Sequence, residues 1–332
     1  MAPDPEHIRN LMVGFQNTAA LRAAIDLHLF TAVAEGAANV EAIAAKCQAS
    51  QRGIRILCDY LTIEGMLAKE NHRYRLTSDS AAFLDERSPD YMGGMLKFLN
   101  ARRFMDAAAN LTQAVRQGTT TIGEGTVGIE AEEWVDFARH MEPLAKGPAQ
   151  FIAQLVASRT QPKKVLDIAA GHGLYGIAVA KQSPAAVIFG QDWPNVLAVA
   201  EQNARAAGLA ERYQTLPGSA FEVNLGTGFD LVLLPNFLHH FDQETCVTFL
   251  RKVCAAMDPA GLLITLEFIP NEDRVTPPRA AAFALSMLLQ TPAGDAYTQS
   301  ELFHMLNAGG FNSHQVVEVP ESPGKLIVSR VT

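Results

Sequence analysis

Val165-Leu166-Asp167-Ile168-Ala169-Ala170-Gly171-His172-Gly173 is the stretch on which the reading of this chain turns. An apolar, β-type run closes on an acid and then breaks into a Gly-x-Gly turn. Beyond the turn Leu174, Ile177, Ala178 and Ala180 recur at helical spacing, so the order is strand, glycine turn, helix. Such a turn sets backbone N–H groups at a helix N-terminus against the polar groups of a ligand. Gly171 and Gly173 suit it because a Cβ would obstruct both the turn's dihedrals and the ligand's approach. Many α/β folds use a Gly-x-Gly turn, and the surrounding sequence must say what this one holds.

Downstream, strands and helices alternate. Strands are expected near 163–169, 185–191, 211–216, 229–235, 260–268, 313–319 and 324–330, and helices near 173–182, 194–207, 242–257 and 298–309. Alternation of this kind predicts an α/β, Rossmann-like domain whose mostly parallel sheet is covered by helices on both faces. The second strand ends in Asp192, at the sheet edge where open α/β folds bind ligands. A carboxylate there can accept both hydrogen bonds of a ribose diol, and an acid opening the helix at Pro194 is the plainer alternative. The third strand runs into Pro217-Gly218-Ser219-Ala220-Phe221 at the same edge. The fourth leaves through Pro235-Asn236-Phe237-Leu238-His239-His240-Phe241. An imidazole, with an ordinary pKa of about 6.5, can take a proton from a phenol-like hydroxyl near neutrality. His239 is the candidate base, although either histidine could simply cap or pack the next helix. Consecutive histidines rarely point at one ion and no further ligand stands at useful spacing, so no metal is expected.

Upstream, residues 10–85 read as three helices followed by a small β element. Leu21, Ile25, Leu29 and Phe30 are expected on one helical face, Ile43 and Ala44 on the next, and Ile54, Ile56, Leu57, Tyr60 and Leu61 supply the third. Asn71-His72 can turn a hairpin within 69–77. This is a winged-helix pattern, for which DNA binding is the obvious function. Residues 1–80 carry 8 Lys and Arg against 9 Asp and Glu, where a DNA-reading wing would be basic. Dimerisation or packing is the better expectation. Residues 90–160 read as further helices around a Gly/Thr-rich loop, Gln117–Gly128. The expected division is 1–100 winged-helix-like, 101–162 helical linker and acceptor-pocket helices, and 163–332 ligand-binding domain.

The chain has 332 residues, 48% of them hydrophobic, and a net charge of −8, which disfavours a nucleic-acid partner. Its start carries Asp4 and Glu6 and shows no signal peptide. The longest apolar run, Ala280–Leu289, falls short of the roughly 20 residues a membrane span needs. Cys47, Cys58, Cys246 and Cys254 lack metal or redox spacing and read as small buried thiols. A soluble, cytoplasmic protein with no membrane partner is the expectation.

Taken together, VLDIAAGHG, Asp192, the Leu238-His239-His240-Phe241 segment and the strand Leu262–Glu267 resemble a class I S-adenosylmethionine-dependent methyltransferase. The N-terminal stretches 20–30 and 54–77, Trp134–Ala138 with Met141, and Tyr297–Phe311 are similar to small-molecule O-methyltransferases of the caffeate and hydroxyindole type. The resemblance spans about residues 8–331. It implies S-adenosyl-L-methionine as cofactor, a small-molecule acceptor and a homodimer joined through the N-terminal domain. It places Gly171 and Gly173, with Asp167 behind them, under the methionine part of the cofactor and Asp192 on the ribose. Trp193, Ser219 and Ala220 would flank the adenine, with Pro235 and Asn236 along the cofactor edge. His239 falls on the general base, and Phe137 and Met141 on a helix lining the acceptor pocket, which Phe98, Phe104, His240, Phe283 and Met287 could also line, although each apolar one could equally be ordinary core.

Departures accompany the matches. Ser219 stands where many members have an aspartate, and His240 where an aspartate commonly follows the catalytic histidine. Ala296 falls where an orienting glutamate is expected, with Asp295 one position away, so the base is left without an evident orienting acid. The expected function is O-methylation of a small hydroxylated aromatic metabolite. Methylation at carbon or nitrogen, or a non-methylating use of the same cofactor, is the alternative within the fold. A ligand-responsive DNA-binding regulator is the alternative outside it. A nicotinamide dehydrogenase would share Gly171-x-Gly173-x-x-Gly176, but not the features downstream.

Overall fold

The computed structural model describes residues 4–126 and 132–331. Residues 127 and 128 of the expected Gly/Thr-rich loop, and the first three residues of the polar start, lie outside the described residues. The chain divides into two compact units between Leu99 and Asn100.

The first unit opens with α1 (Glu6–Val13), α2 (Phe15–Asp26), α3 (Leu29–Ala34), α4 (Val40–Lys46) and α5 (Gln51–Ile63). Side chains stop and start these helices. Asn39 caps α4 by accepting from the Ala42 N–H, and Ser50 caps α5 by accepting from that of Gly53. His28 takes a left-handed conformation (φ +52°) and separates α2 from α3. Leu21 and Ile25 are therefore not on one helix with Leu29 and Phe30, as the spacing predicts, yet all four reach the same core. That core also buries Ile43, Ile54, Leu61 and Tyr74. The hairpin β1 (Leu67–Glu70) and β2 (Arg73–Leu76) turns at Asn71 and His72, both with positive φ as a two-residue hairpin turn requires. α6 (Ser78–Phe83) and α7 (Gly93–Leu99) complete the unit. Leu11, Met12 and Phe15, on α1 and at the start of α2, stay about 70% exposed (69, 71 and 69%).

In the second unit α8 (Arg102–Ala109), α9 (Leu111–Gln117), α10 (Glu132–His140) and α11 (Glu142–Ala157) precede β3 (Lys164–Ile168). There follow α12 (Leu174–Gln182), β4 (Val187–Asp192), α13 (Pro194–Ala206), β5 (Tyr213–Pro217), β6 (Phe229–Pro235), α14 (Gln243–Ala256) and β7 (Met257–Glu267). The unit closes with α15 (Pro278–Gln290), α16 (Gln299–Ala308), β8 (Phe311–Glu318) and β9 (Lys325–Val331). These strands form a seven-stranded sheet in the order β5-β4-β3-β6-β7-β9-β8, parallel except where β9 pairs with β7 and β8. Both faces are covered, which is why β3 reads as an unbroken buried run rather than an alternating one. After β3 the chain moves outward to β4 and β5, then returns to lay β6 on the other side of β3. That reversal opens a crevice beyond the carboxyl ends of β3 and β6. The glycine turn, Asp192, Gly218, Asn236 and Glu267 follow or close five neighbouring parallel strands, so all lie along this edge. α15 was not among the helices expected from periodicity, since the run 280–289 is apolar on nearly every side.

Candidate active site

The glycine turn is held by the strand beside it. Ala169, Gly171 and Gly173 all take positive φ (+49°, +56° and +73°). Gly171 donates its N–H to Asp192 Oδ2 (2.8 Å), and Trp193 donates to Asp192 Oδ1 (2.7 Å). Each carboxylate oxygen keeps a further lone pair, enough for the two hydroxyls of a diol. Burial pushes Asp192 up to about 6, against the opposing pull of the two N–H groups. Gln191 carries the framework onward, donating to the Gly218 carbonyl at 2.6 Å. A Cβ on Gly171 would meet only the Ala169 carbonyl, at 3.9 Å, so space beside this turn is open on the ligand side. Gly173 is different: a Cβ there would lie 2.9 Å from the Ala200 Cβ and the Tyr213 hydroxyl.

Asp167 supports the turn from below. Its Oδ2 accepts the Gly176 N–H (3.0 Å), and its Oδ1 is buried without a partner among the described residues. Burial pushes this carboxyl up to about 7. The third glycine of the Gly-x-Gly-x-x-Gly spacing packs rather than binds. A Cβ on Gly176 would sit 2.6 Å from Ile188 Cγ2 and 2.9 Å from Asp167 Oδ2.

His239 sits in a single turn of 3-10 helix, Leu238–His240, just past β6. Its Nδ1 lies 2.6 Å from Glu267 Oε2, at the tip of β7, and both side chains are almost fully buried. The other oxygen, Oε1, accepts the N–H groups of Phe237 (3.0 Å) and Leu238 (2.8 Å). One carboxylate therefore fixes both the ring and the backbone that carries it. An ionised carboxylate can only accept, so paired with one His239 would carry its proton on Nδ1 and leave Nε2 free to accept. Glu267 is thus the acid in contact with the His239 ring, where the sequence offers none nearby. Ala296 is buried and cannot serve, while Asp295 pairs with Arg274 (3.2 Å) near the surface. The signal was available: an acid closing an apolar strand at the binding edge, the logic already applied to Asp192.

Gly294 was missed as well. A Cβ there would fall 2.2 Å from the His239 carbonyl oxygen and 2.9 Å from the His240 carbonyl carbon. Its segment therefore presses directly on the backbone of the histidine pair. Asn236 takes a positive φ (+54°) at the exit of β6. Pro235 ends β6, and Ser219 Oγ accepts the Phe221 N–H (3.3 Å) beside the buried Ala220.

Aromatic rings surround the histidines. Phe283 on α15 meets the His239 ring edge-on at 4.8 Å and stacks on Phe268 at 4.0 Å. Trp134 on α10 lies edge-on to Phe137 (5.4 Å) and to His240 (5.9 Å). Trp134 and Trp193 pack on one apolar cluster of Ala138, Val196 and Val199, which joins α10 to α13. Met287 is buried on α15, and Met141 stands between α10 and α11, at the N-cap position of α11 with no side-chain capping bond, and so is not on one helix with Phe137 as expected. Among the described residues no group of three or more His, Cys, Asp and Glu side chains is placed to hold a metal ion. None of the described helices is long and apolar enough to cross a membrane.

The model of the O-methyltransferase domain matches residues 131–312, more than half of the chain, and that of the O-methyltransferase dimerisation domain matches 9–86. The chain belongs to the O-methyltransferase family. This O-methyltransferase is 29% identical to 3-hydroxy-5-methyl-1-naphthoate 3-O-methyltransferase of Streptomyces sahachiroi, over 96% of this chain and 93% of that one. Its fold superposes with a TM-score of 0.95 on the crystal structure of a candidate O-methyltransferase from Nostoc punctiforme, 49% identical and covering 99% and 100% of the two chains. PigF, solved with S-adenosylhomocysteine, is 25% identical with a TM-score of 0.88, covering 99% of this chain and 100% of that one. The protein is an S-adenosylmethionine-dependent methyltransferase. An open glycine turn with a carboxylate beside it fits that cofactor.

Proposed function

We propose that this enzyme methylates a hydroxyl of a small, flat aromatic acceptor, with His239 as the general base. The observation that carries the reading is the 2.6 Å contact between His239 Nδ1 and Glu267. It leaves Nε2 unprotonated and steadies the imidazolium that forms when the acceptor's proton arrives. S-adenosylmethionine supplies an electrophilic methyl group when bound. In this reading Gly171 and Gly173 lie under its methionine part, with Asp167 supporting the turn, and Asp192 accepts from the ribose hydroxyls. Trp193, Ser219 and Ala220 border the adenine, and Pro235 and Asn236 its edge. Phe137, Met141, His240, Phe283 and Met287 line the acceptor side. The rest of the task is alignment, because an in-line displacement gains most from holding the two reacting atoms in place.

Replacing His239 tests the assignment. His239→Ala is expected to lower kcat with a phenolic acceptor by about 10²–10⁴-fold. An unchanged kcat across pH 6–9 would leave proximity alone as the account. The same reading extends to a homodimer through the first unit, supported by the dimerisation-domain match and the exposed Leu11, Met12 and Phe15.

A further inference from the structure

His240 takes no part in the base–carboxylate pair, yet its ring centroid is 4.4 Å from that of His239. Its Nδ1 is buried with no hydrogen-bond partner among the described residues, and no ion pair involves its ring there. Burial, reinforced by the neighbouring His239, holds it well below the usual imidazole range, so it stays uncharged. A buried polar atom without a partner bears the full cost of its lost hydration and calls for an explanation. A ligand that supplies the missing partner is one that the position of His240 favours.

The chemistry of the residue narrows that ligand. The resembled family commonly carries an aspartate here, which can only accept hydrogen bonds and repels electron-rich oxygens. A neutral imidazole has one N–H to donate and one nitrogen to accept, and carries no negative charge. We propose that His240 donates its ring N–H to a carbonyl oxygen adjacent to the reacting hydroxyl, so that the acceptor is an aromatic ortho-hydroxy-carbonyl compound. The proposal rests on the reading of His239 as base. In such compounds the hydroxyl proton is tied internally to the carbonyl and withheld from a base. Donation from His240 to the carbonyl competes with that internal bond and turns the proton toward His239 Nε2. Two neighbouring oxygens on one flat ring suit two imidazoles packed side by side, with Phe283 against the first and Trp134 against the second.

A matched naphthalene series tests this with the full chain and S-adenosylmethionine. Its members are a naphthol bearing a methyl ester ortho to the hydroxyl, the corresponding ortho-diol, and the unsubstituted naphthol. The wild type is expected to show a kcat/KM for the ester at least about tenfold above that for the plain naphthol. His240→Phe should bring that ratio toward one, His240→Gln should keep the preference through its amide N–H, and His240→Asp should favour the diol over the ester. A wild-type ratio of one or less overturns the proposal, as do equal proportional losses on all three acceptors in the variants. Should the variants not fold, the wild-type ratio decides alone. His239→Ala separates the two claims: full turnover in that variant sinks the base and leaves the ester ratio to report on His240.

Discussion

Glu267 joins three groups at one point: the His239 ring and the N–H groups of Phe237 and Leu238. Glu267→Gln keeps the shape but not the charge, and an amide can present its NH₂ to Nδ1 and so favour the wrong tautomer. We expect kcat to fall by about 10²-fold or more, with the cofactor's Kd little changed. Steady-state kinetics beside a binding titration checks this; a loss confined to cofactor affinity would contradict it. Asp167 makes a different prediction. Its folded pKa, about 7, lies above the value of about 4 for an unfolded aspartate. The folded chain therefore holds this proton more tightly, and the associated stability is full below pH 4 and lost as pH rises through 7. Asp167→Asn keeps an acceptor for Gly176 without the charge. The Tm of this variant relative to wild type should climb between pH 4 and 8, by the equivalent of up to about 4 kcal/mol. A gap that does not change with pH would show that Asp167 is not a buried titrating group.

At the scale of elements, the strand ends were legible because each carries a distinct break: glycines after β3, an acid at the tip of β4, Pro217-Gly218 at the end of β5, Pro235-Asn236 at the end of β6. Asp192 and His239 could be placed from the alternation alone. Contacts across sequence could not. Glu267 meets His239 across 28 residues, and only the parallel pairing of β6 with β7 brings them together. Gly294 was equally hidden, since nothing local shows that its segment presses on the His239 backbone. His28 was missed because a helical apolar spacing continues through it while the backbone does not. Gly294→Ala should be costly: with a Cβ 2.2 Å from a backbone oxygen, something must shift. We expect a destabilisation of about 1–3 kcal/mol and a fall in kcat larger than the change in cofactor affinity. Thermal unfolding together with kinetics would measure both, and wild-type values in each would show that the loop yields freely.

For the whole molecule, the seven-stranded sheet and the helical first unit were both expected from alternation and periodicity, while the exposed side chains of α1 and α2 bear on assembly. Leu11→Asp with Phe15→Asp should shift a dimer toward monomer in light scattering at micromolar concentration, and should leave the fold of the second unit intact by circular dichroism. A wild type that is already monomeric there would refute the dimer. The two tryptophans of this chain, Trp134 and Trp193, share one small apolar cluster at the binding edge. Indole emission from the native protein therefore originates at a single spot, one beside the proposed ribose site and the other against His240. The unlabelled enzyme carries its own optical probe, and nucleoside or aromatic ligands can be titrated by following that signal alone.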